Sequence, residues 1–352
     1  EMVQFHPSGM LFPEEIAGTL VTEAVRGEGG KLINNKGERF MINYDRERME
    51  LSTRDRVAIA NYTEIIEGRG TPNGGVYLDI SHLSKDLIMQ KIPSIYRQFL
   101  DAQMLDISKE PMEVAPTAHY SMGGVVVSPK EHCTSIKGLY AAGEVAGGLH
   151  GANRLGGNSL AEILIFGKKA GKSSVNYSKQ LKAQIRSELC INNAHDNINK
   201  FLNKGRELAK PIQHYLSNVM WEHCGVIKDK NLLESGLNKV LGIKDMIKDI
   251  DVRIDYLNCD DLIQVFDLES SVLSAEATLL SALSRKESRG SHQRSDFPEL
   301  NADEKCNYHV KLNDASFDCT ISRKNINPLR KDLKNIITNT TKVTDFTDKL
   351  LE

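Results

Sequence analysis

The stretch Gly143–Leu160, GEVAGGLHGANRLGGNSL, constrains this chain more than any other. It is too rich in glycine to be a core strand. Its polar residues Glu144, His150, Asn153, Arg154, Asn158 and Ser159 are too specific for a slack linker. Gly138–Ala142 before it reads as a short buried strand, and Leu160–Ala170 after it as an apolar helix. A glycine-rich turn between strand and helix lets backbone approach a ligand closely. The helix N-terminus behind it offers unpaired N–H groups and the positive end of a dipole. A charged or polar cofactor suits that arrangement. At the level of residue types, a flexible surface loop is the competing reading.

Other polar groups recur beside glycines or at element ends. His6 follows Val3 and Phe5 at a strand end that Pro7 and Gly9 terminate. Thr22 and Glu23 close a short helix over Thr19–Ala24, and Arg26 and Glu28 read as an ion pair beside a glycine turn. Asn34–Gly37 suits a tight hairpin turn between a strand at Leu32–Ile33 and a returning strand at Glu38–Met41. A helix opens near Leu51–Arg56 and runs to about Glu67, with Ser52 or Thr53 as its cap. Arg54 falls in the first turn of that helix, where a cation opposes the dipole; it calls for a carboxylate or an anionic ligand. Val76–Ile80 reads as a strand, Ser81 or Ser84 as a cap, and Ile92–Pro93 as the start of a further helix. Pro111–Pro116 is extended, Val125–Val127 is a strand, and His119 precedes the pair Gly123–Gly124. Together, His6, Thr22, Glu23, Arg54, His119, Glu144 and Arg154 could hold a small dianion beside a cofactor loop, because arginine makes two-pronged bonds to a carboxylate. A structural protein whose polar groups are unrelated is the alternative that residue types alone leave open.

Several classes are disfavoured. The formal net charge of −2 gives no global basic field for nucleic acid. No apolar run reaches the roughly 20 residues of a membrane span. The six cysteines lack C-x-x-C spacing, so no metal site is expected and reduced structural thiols of a cytosolic protein are the default. Neither H-E-x-x-H nor G-x-S-x-G occurs. At 352 residues the chain needs two or three domains. From Ser173 onward glycine thins out and helices are expected over Tyr177–Leu202, Gly205–Trp221, Leu232–Lys248 and Leu262–Arg289. The tail, Asn307–Glu352, reads as a short hairpin and a polar extension.

An ordered set of segments resembles the succinate dehydrogenase/fumarate reductase flavoprotein family, with L-aspartate oxidase a close relative. The segments are VQFHPSG (3–9), TEAVRGEGG (22–30), STRD (52–55), VYLDISHL (76–83), APTAHYSMGG (115–124), GLYAAGE (138–144), HGANRLGGNSL (150–160) and RKESRGSH (285–292). The resemblance implies α/β, α+β and helical parts: a two-part FAD-binding domain interrupted by an α+β capping domain and followed by a helical domain. In that division residues 1–9 end the first FAD-domain part, 10–115 form the cap, 116–172 return to the FAD domain, 173–300 are helical and 301–352 are a tail. It implies hydride transfer between flavin N5 and a C4 dicarboxylate. Arg54 would be the acid/base, with Glu23 relaying its proton. His6, Thr22, His119 and Arg154 would bind substrate carboxylates. Glu144, Asn158, Ser159 and Leu160 would face the flavin. Arg289 and His292 match the family but read as structural.

Two departures shape the expectations. The G-x-G-x-x-G fingerprint is absent, and the chain opens abruptly on a strand. The chain is therefore expected to lack the N-terminal FAD-binding part, to hold an incomplete FAD site and to be inactive alone, as a fragment or completed by another chain. An iron–sulfur subunit is the expected partner of a dehydrogenase or reductase, with a cytoplasmic location or peripheral attachment to the inner membrane face. L-aspartate oxidase and a non-catalytic module of a split flavoprotein are the alternatives.

Overall fold

The computed structural model describes the chain except residues 184–186, 203–204, 253–259, 314–317 and 335–352. Cys259 and residues 335–352 of the polar extension of the tail lie outside the described residues. So does part of the single helix expected over Tyr177–Leu202. The described chain divides into two compact units. One comprises residues 2–186 with 290–293; the other comprises residue 1 with 187–289 and the residues from 294 onward.

The first unit is built on an antiparallel sheet of four strands in the order β1-β4-β3-β2. These are β1 (Val3–Met10), β2 (Lys31–Ile33), β3 (Val76–Asp79) and β4 (Met112–Ser121). The first and last strands in sequence lie side by side, so residues more than 100 apart in the chain meet across one ladder. Alternation in Val76, Leu78 and Ile80 puts three fully buried side chains on one face. Against them pack Leu32, Val57, Phe99 and Met112, each contributing about 1.5–3 kcal/mol through burial. Helices α1 (Ala24–Gly27), α2 (Met41–Tyr44), α3 (Arg54–Glu64), α4 (Lys85–Lys91) and α5 (Pro93–Gln103) surround this core. Ser84 caps α4 by accepting from the Leu87 N–H, and Pro93 opens α5. α3 packs on β1 and β4, and the fully buried Asn61 donates to the Pro7 carbonyl at 2.8 Å.

Two irregularities in the β1–β4 ladder matter for the site. Gln4 faces Tyr120 while Phe5 faces Ala118, so His119 is an extra residue bulged out of β4. His6 faces Thr117 while Gly9 faces Ala115, so β1 carries an extra residue in Pro7–Ser8. A bulge tolerates proline, which has no N–H for the ladder, and it re-aims the neighbouring side chains. Both histidines thus sit at bulges.

The hairpin expected at Asn34–Gly37 is only half realised. The turn forms: the Asn34 side chain accepts from the N–H groups of Lys36 and Glu38 at 3.1 and 3.0 Å. No strand returns, because Phe40 and Met41 are drawn into the core at the start of α2 and β2 pairs with β3 instead. Thr19–Ala24 is not a helix; Leu20 bridges Gly9 and the helical turn starts at Ala24. The expected strands at Val125–Val127 and Gly138–Ala142 reduce to isolated bridges, Val125 with Ala146 and Cys133 with Tyr140. Tyr140 is half-buried rather than core.

After the glycine stretch comes α6 (Asn158–Gln180), a helix of 23 residues. Gly157 stands at its N-cap with φ 81°, a conformation that favours glycine, and no side chain caps the helix. Gly124 meets the same loop so closely that a Cβ there would strike the Val145 carbonyl.

The second unit is helical. α7 (Glu188–Asn199), α8 (Ala209–Cys224), α9 (Lys230–Met246) and α10 (Asp260–Ser284) are its long helices among the described residues, and the last three pack on one another. Leu216, Val219, Leu233, Val240, Leu268 and Leu279 form their common core. α10 ends at Ser284, earlier than expected, because the segment after it turns to bury Arg285. Arg285 bonds Glu287 at 2.8 Å and the carbonyls of Glu304 and Cys306 at 2.9 and 2.8 Å. Arg289 pairs with Glu287 at 2.6 Å. The expected hairpin forms between Cys306–Leu312 and Cys319–Asn325.

Candidate functional site

The polar groups singled out from the sequence all lie in the first unit. α3 delivers Arg54 from its first turn, behind Thr53, which is extended and makes no side-chain cap. The cation placed against the helix dipole is answered by Glu23, whose Oε2 accepts from Arg54 Nε at 2.7 Å. This hydrogen bond, ahead of opposing desolvation, holds the Glu23 carboxyl below its ordinary pKa. Arg26 Nη2 lies 3.8 Å from the same oxygen. Arg26 is buried and donates to the Glu50 carbonyl at 2.6 Å; Glu28 faces Lys91 instead, at 3.9 Å. The expected Arg26–Glu28 pair is thus replaced by a row Arg54–Glu23–Arg26.

Arg154 is the second anchor. Its Nη2 donates to Gln4 Oε1 at 3.1 Å and to His119 Nε2 at 3.0 Å. Its Nη1 reaches the Leu155 carbonyl at 3.2 Å and Ser159 Oγ at 3.5 Å. A guanidinium can only donate, so His119 accepts at Nε2 and a neutral ring carries its proton on Nδ1. Burial first, then Arg154 and Arg54, push the His119 pKa down. His6 is buried, with its ring centroid 5.6 Å from that of His119. Burial first, then the charges of Arg26 and Arg54, lower its pKa to about 4. Burial first, then Arg54, also lower the Arg154 pKa. The mutual influence of these cations shows how closely they gather.

Arg54 Nη1 and Arg154 Nε are buried and have no hydrogen-bond partner among the described residues. Arg54 also approaches the glycine stretch, since a Cβ on Gly156 would stand 3.6 Å from its Nη2. The fold therefore brings His6, Glu23, Arg54, His119 and Arg154 together. Glu144 is exposed at the rim, where its Oε1 accepts from the Ser121 N–H at 2.9 Å. Thr22 is exposed, with its hydroxyl 3.4 Å from the Ala24 N–H. Asn158 and Leu160 are exposed in the first turn of α6. These last three enter the set by position rather than by a contact with the arginines.

Sequence reasoning missed Gln4, which is 1% exposed and also donates to Asn153 Oδ1 and the Arg154 carbonyl at 2.6 and 2.8 Å. Its signal was a polar residue between Val3 and Phe5 in an apolar strand. It also missed Tyr120 and Glu162, joined at 2.7 Å. Among the described residues, no group of three or more His, Cys, Asp and Glu side chains could hold a metal ion. Nor is any described helix long and apolar enough to cross a membrane.

Two family profiles match the chain. One, FAD binding domain, covers residues 1–160; the other, fumarate reductase flavoprotein C-term, covers residues 213–341. A fumarate reductase (CoM/CoB) subunit of Methanothermobacter marburgensis is 48% identical over 300 residues, 85% of this chain and 54% of the relative. The 8-methylmenaquinol:fumarate reductase flavoprotein subunit of Wolinella succinogenes is 36% identical over 339 residues, 90% of this chain and 51% of the relative. The solved Mycobacterium smegmatis Sdh1 in complex with UQ1 superposes with a TM-score of 0.84 at 34% identity, covering 100% of this chain and 59% of that one. The chain spans about half the length of the curated relatives it matches.

The first profile corrects one expectation. An FAD-binding part is present after all: the FAD binding domain profile matches residues 1–160. A separate chain supplying that missing part is withdrawn as a partner for the same reason. The expectation rested on the absent G-x-G-x-x-G and on the strand that opens the chain. Here the domain is marked instead by β1, β4 and the glycine stretch entering α6.

Proposed function

The chain belongs to the succinate dehydrogenase/fumarate reductase flavoprotein family, and from that premise we propose that it interconverts succinate and fumarate as an FAD-dependent flavoprotein subunit. The observation that carries this reading is the convergence of two guanidiniums, Arg54 and Arg154, with two histidines around unpartnered buried donors. A C4 dicarboxylate has a charged group for each arginine.

The residues present suit a flavin. α6 leaves its N-terminus uncapped by any side chain, with Asn158 exposed in its first turn. The positive end of a long helix favours negative charge at the N1–O2 edge of an isoalloxazine. Gly157, at φ 81° with open space where a Cβ would stand, leaves room for the close backbone approach such a ring needs. Asn158, Ser159 and Leu160 would face the ring, and Glu144 the chain attached to it. FAD, when bound, supplies a hydride donor or acceptor at N5.

The protein's own side chains do the rest. Arg154 binds one substrate carboxylate, with Thr22, His6 and His119 completing the carboxylate contacts. Their lowered pKa values leave both rings neutral at neutral pH, so they contribute directed N–H groups without adding charge. Arg54 orients the other end and delivers or removes the proton at carbon. An arginine with a reference pKa above 12 is a poor shuttle unless its proton is replaced at once. Glu23, bonded to Arg54 at 2.7 Å and with a side chain 48% exposed, links it to solvent. Arg26, 3.8 Å from the same Glu23 oxygen, adds to the stabilisation of the ionised carboxylate.

In this reading residues 10–115 cap the substrate, 116–172 belong to the FAD domain and 173–300 form the helical domain. An iron–sulfur subunit passes electrons onward, from a cytoplasmic or membrane-peripheral position. The test is an assay of the natural full-length protein with succinate, fumarate and L-aspartate under separate electron donors and acceptors, beside Arg54→Lys. Fumarate or succinate turnover, lost by about 10³-fold or more in the variant while flavin content is kept, supports the reading. Turnover of L-aspartate alone, or near-normal rates in the variant, refutes it.

A further inference from the structure

Behind Arg154 lies a buried polar group that the reaction itself does not use. The Arg154 guanidinium stands 4.4 Å from the centroid of the Tyr120 ring. The Tyr120 hydroxyl donates to Glu162 Oε2 at 2.7 Å, and His150 Nε2 lies 2.8 Å from the same oxygen. Glu162 is 3% exposed. A carboxylate is kept in such a place only where donors reach it, and here two do. The three residues come from β4, from the glycine stretch and from the second turn of α6, so the network ties together the elements that frame the site.

The arrangement has a direct effect on Arg154. A hydroxyl drawn toward a carboxylate enriches its ring in electron density, and an electron-rich face attracts a guanidinium more strongly. The Tyr120 pKa is raised, by burial and then by the Glu162 bond, so the phenol stays protonated and keeps donating. Around its edge Arg154 is held by Gln4, His119, Leu155 and Ser159. The ring adds the face. One N–H, at Nε, has no partner among the described residues.

We infer that Glu162 is a positioning residue: with His150 it holds Tyr120 as the back plate of Arg154, and so fixes the reach of that guanidinium toward a substrate carboxylate. The inference rests on the dicarboxylate reading above. Its signature is selective: substrate affinity depends on the network, while the proton step at Arg54 and Glu23 does not.

The test uses the natural full-length, flavin-loaded protein, with succinate as the probe in calorimetric titration and in steady-state kinetics. The variants are Tyr120→Phe, which keeps the ring and loses the hydroxyl, Glu162→Gln, Glu162→Leu, and Tyr120→Phe combined with Glu162→Leu. Tyr120→Phe and Glu162→Leu are expected to weaken succinate binding roughly tenfold. KM should rise with it while kcat stays within about twofold. Glu162→Gln still accepts from the hydroxyl and should rescue affinity to within about threefold of the parent. The double variant should bind no more weakly than Glu162→Leu, because both changes cut one chain of contacts. Parental affinity in Tyr120→Phe overturns the inference, even if Glu162→Leu fails to fold. So does a loss confined to kcat. If the unaltered protein binds neither succinate nor fumarate, the functional reading itself falls, and this inference with it.

Discussion

His6 offers a stringent test of the electrostatics of the site. It is 3% exposed, and its pKa is lowered from 6.5 to about 4 by burial and then by Arg26, Arg54 and His119. A histidine whose folded pKa is depressed supports the fold above the unfolded pKa, and that support is lost as pH falls through the folded value. The span between 6.5 and about 4 corresponds to roughly 3 kcal/mol at 1.36 kcal/mol per unit. Most of this loss should develop between pH 6.5 and 4. Replacement of His6 by Gln, which is neutral at every pH, should remove that part of the slope. The assay is urea unfolding of the parent and of His6→Gln at intervals from pH 7.5 to 4.5. Stability lost over that range should be smaller in the variant by about 2–3 kcal/mol. His119 is shifted in the same direction, so a residual slope remains in both proteins. Equal slopes in parent and variant would refute the assignment of a buried neutral imidazole at position 6.

Glu23→Gln should lower kcat by about 10²–10³-fold with little change in KM, since it interrupts the proton supply to Arg54 and not substrate contact. Rapid-mixing kinetics of hydride transfer would check this, and an unchanged kcat would remove Glu23 from the relay. The variant should unfold within about 1 kcal/mol of the parent, because the lost ion pair is half-exposed. Gly157→Ala places a Cβ at φ 81° in open space, so the expected cost is about 1 kcal/mol of backbone strain by denaturant unfolding. A larger loss of flavin affinity than of stability would point to direct contact between this turn and the ring.

Sequence reasoning performed best where chemistry is local. Arg54 in a first turn demanded a carboxylate, and the structure supplies Glu23 at 2.7 Å. The α8–α10 pattern at helical spacing likewise described a real core. It failed where a local signal leaves its continuation open. Asn34 and Gly37 do make a turn, yet nothing local tells Phe40 and Met41 to enter a helix rather than a strand, because the decision belongs to the core they join. The partner of β2 is β3, more than 40 residues away. Gln4, Tyr120 and Glu162 were passed over for a similar reason: their roles arise from cross-strand and loop-to-helix contacts that no spacing rule encodes. Arg26 was assigned to its sequence neighbour Glu28, whereas the chain turns it toward Glu23 and Glu50. The family segments compensated for much of this. The single motif they lacked, the G-x-G-x-x-G, then weighed too heavily against an FAD-binding domain.

The two bulges of the β1–β4 ladder make the site sensitive to chain length in a way that point substitution does not probe. Deleting His119 would leave Gln4–Tyr120 and Phe5–Ala118 as consecutive pairs in a regular ladder. Deleting a different residue between 112 and 118 would instead slide that segment by one place, and in a strand one place reverses every side chain from face to face. Val114 would leave the core and its neighbour Glu113 would be turned into it. Apart from the bulged His119 itself, loss or gain of one residue in this segment should therefore be tolerated only as a compensated pair, one in each strand. Substitutions at the same positions leave the spacing of the two histidines untouched.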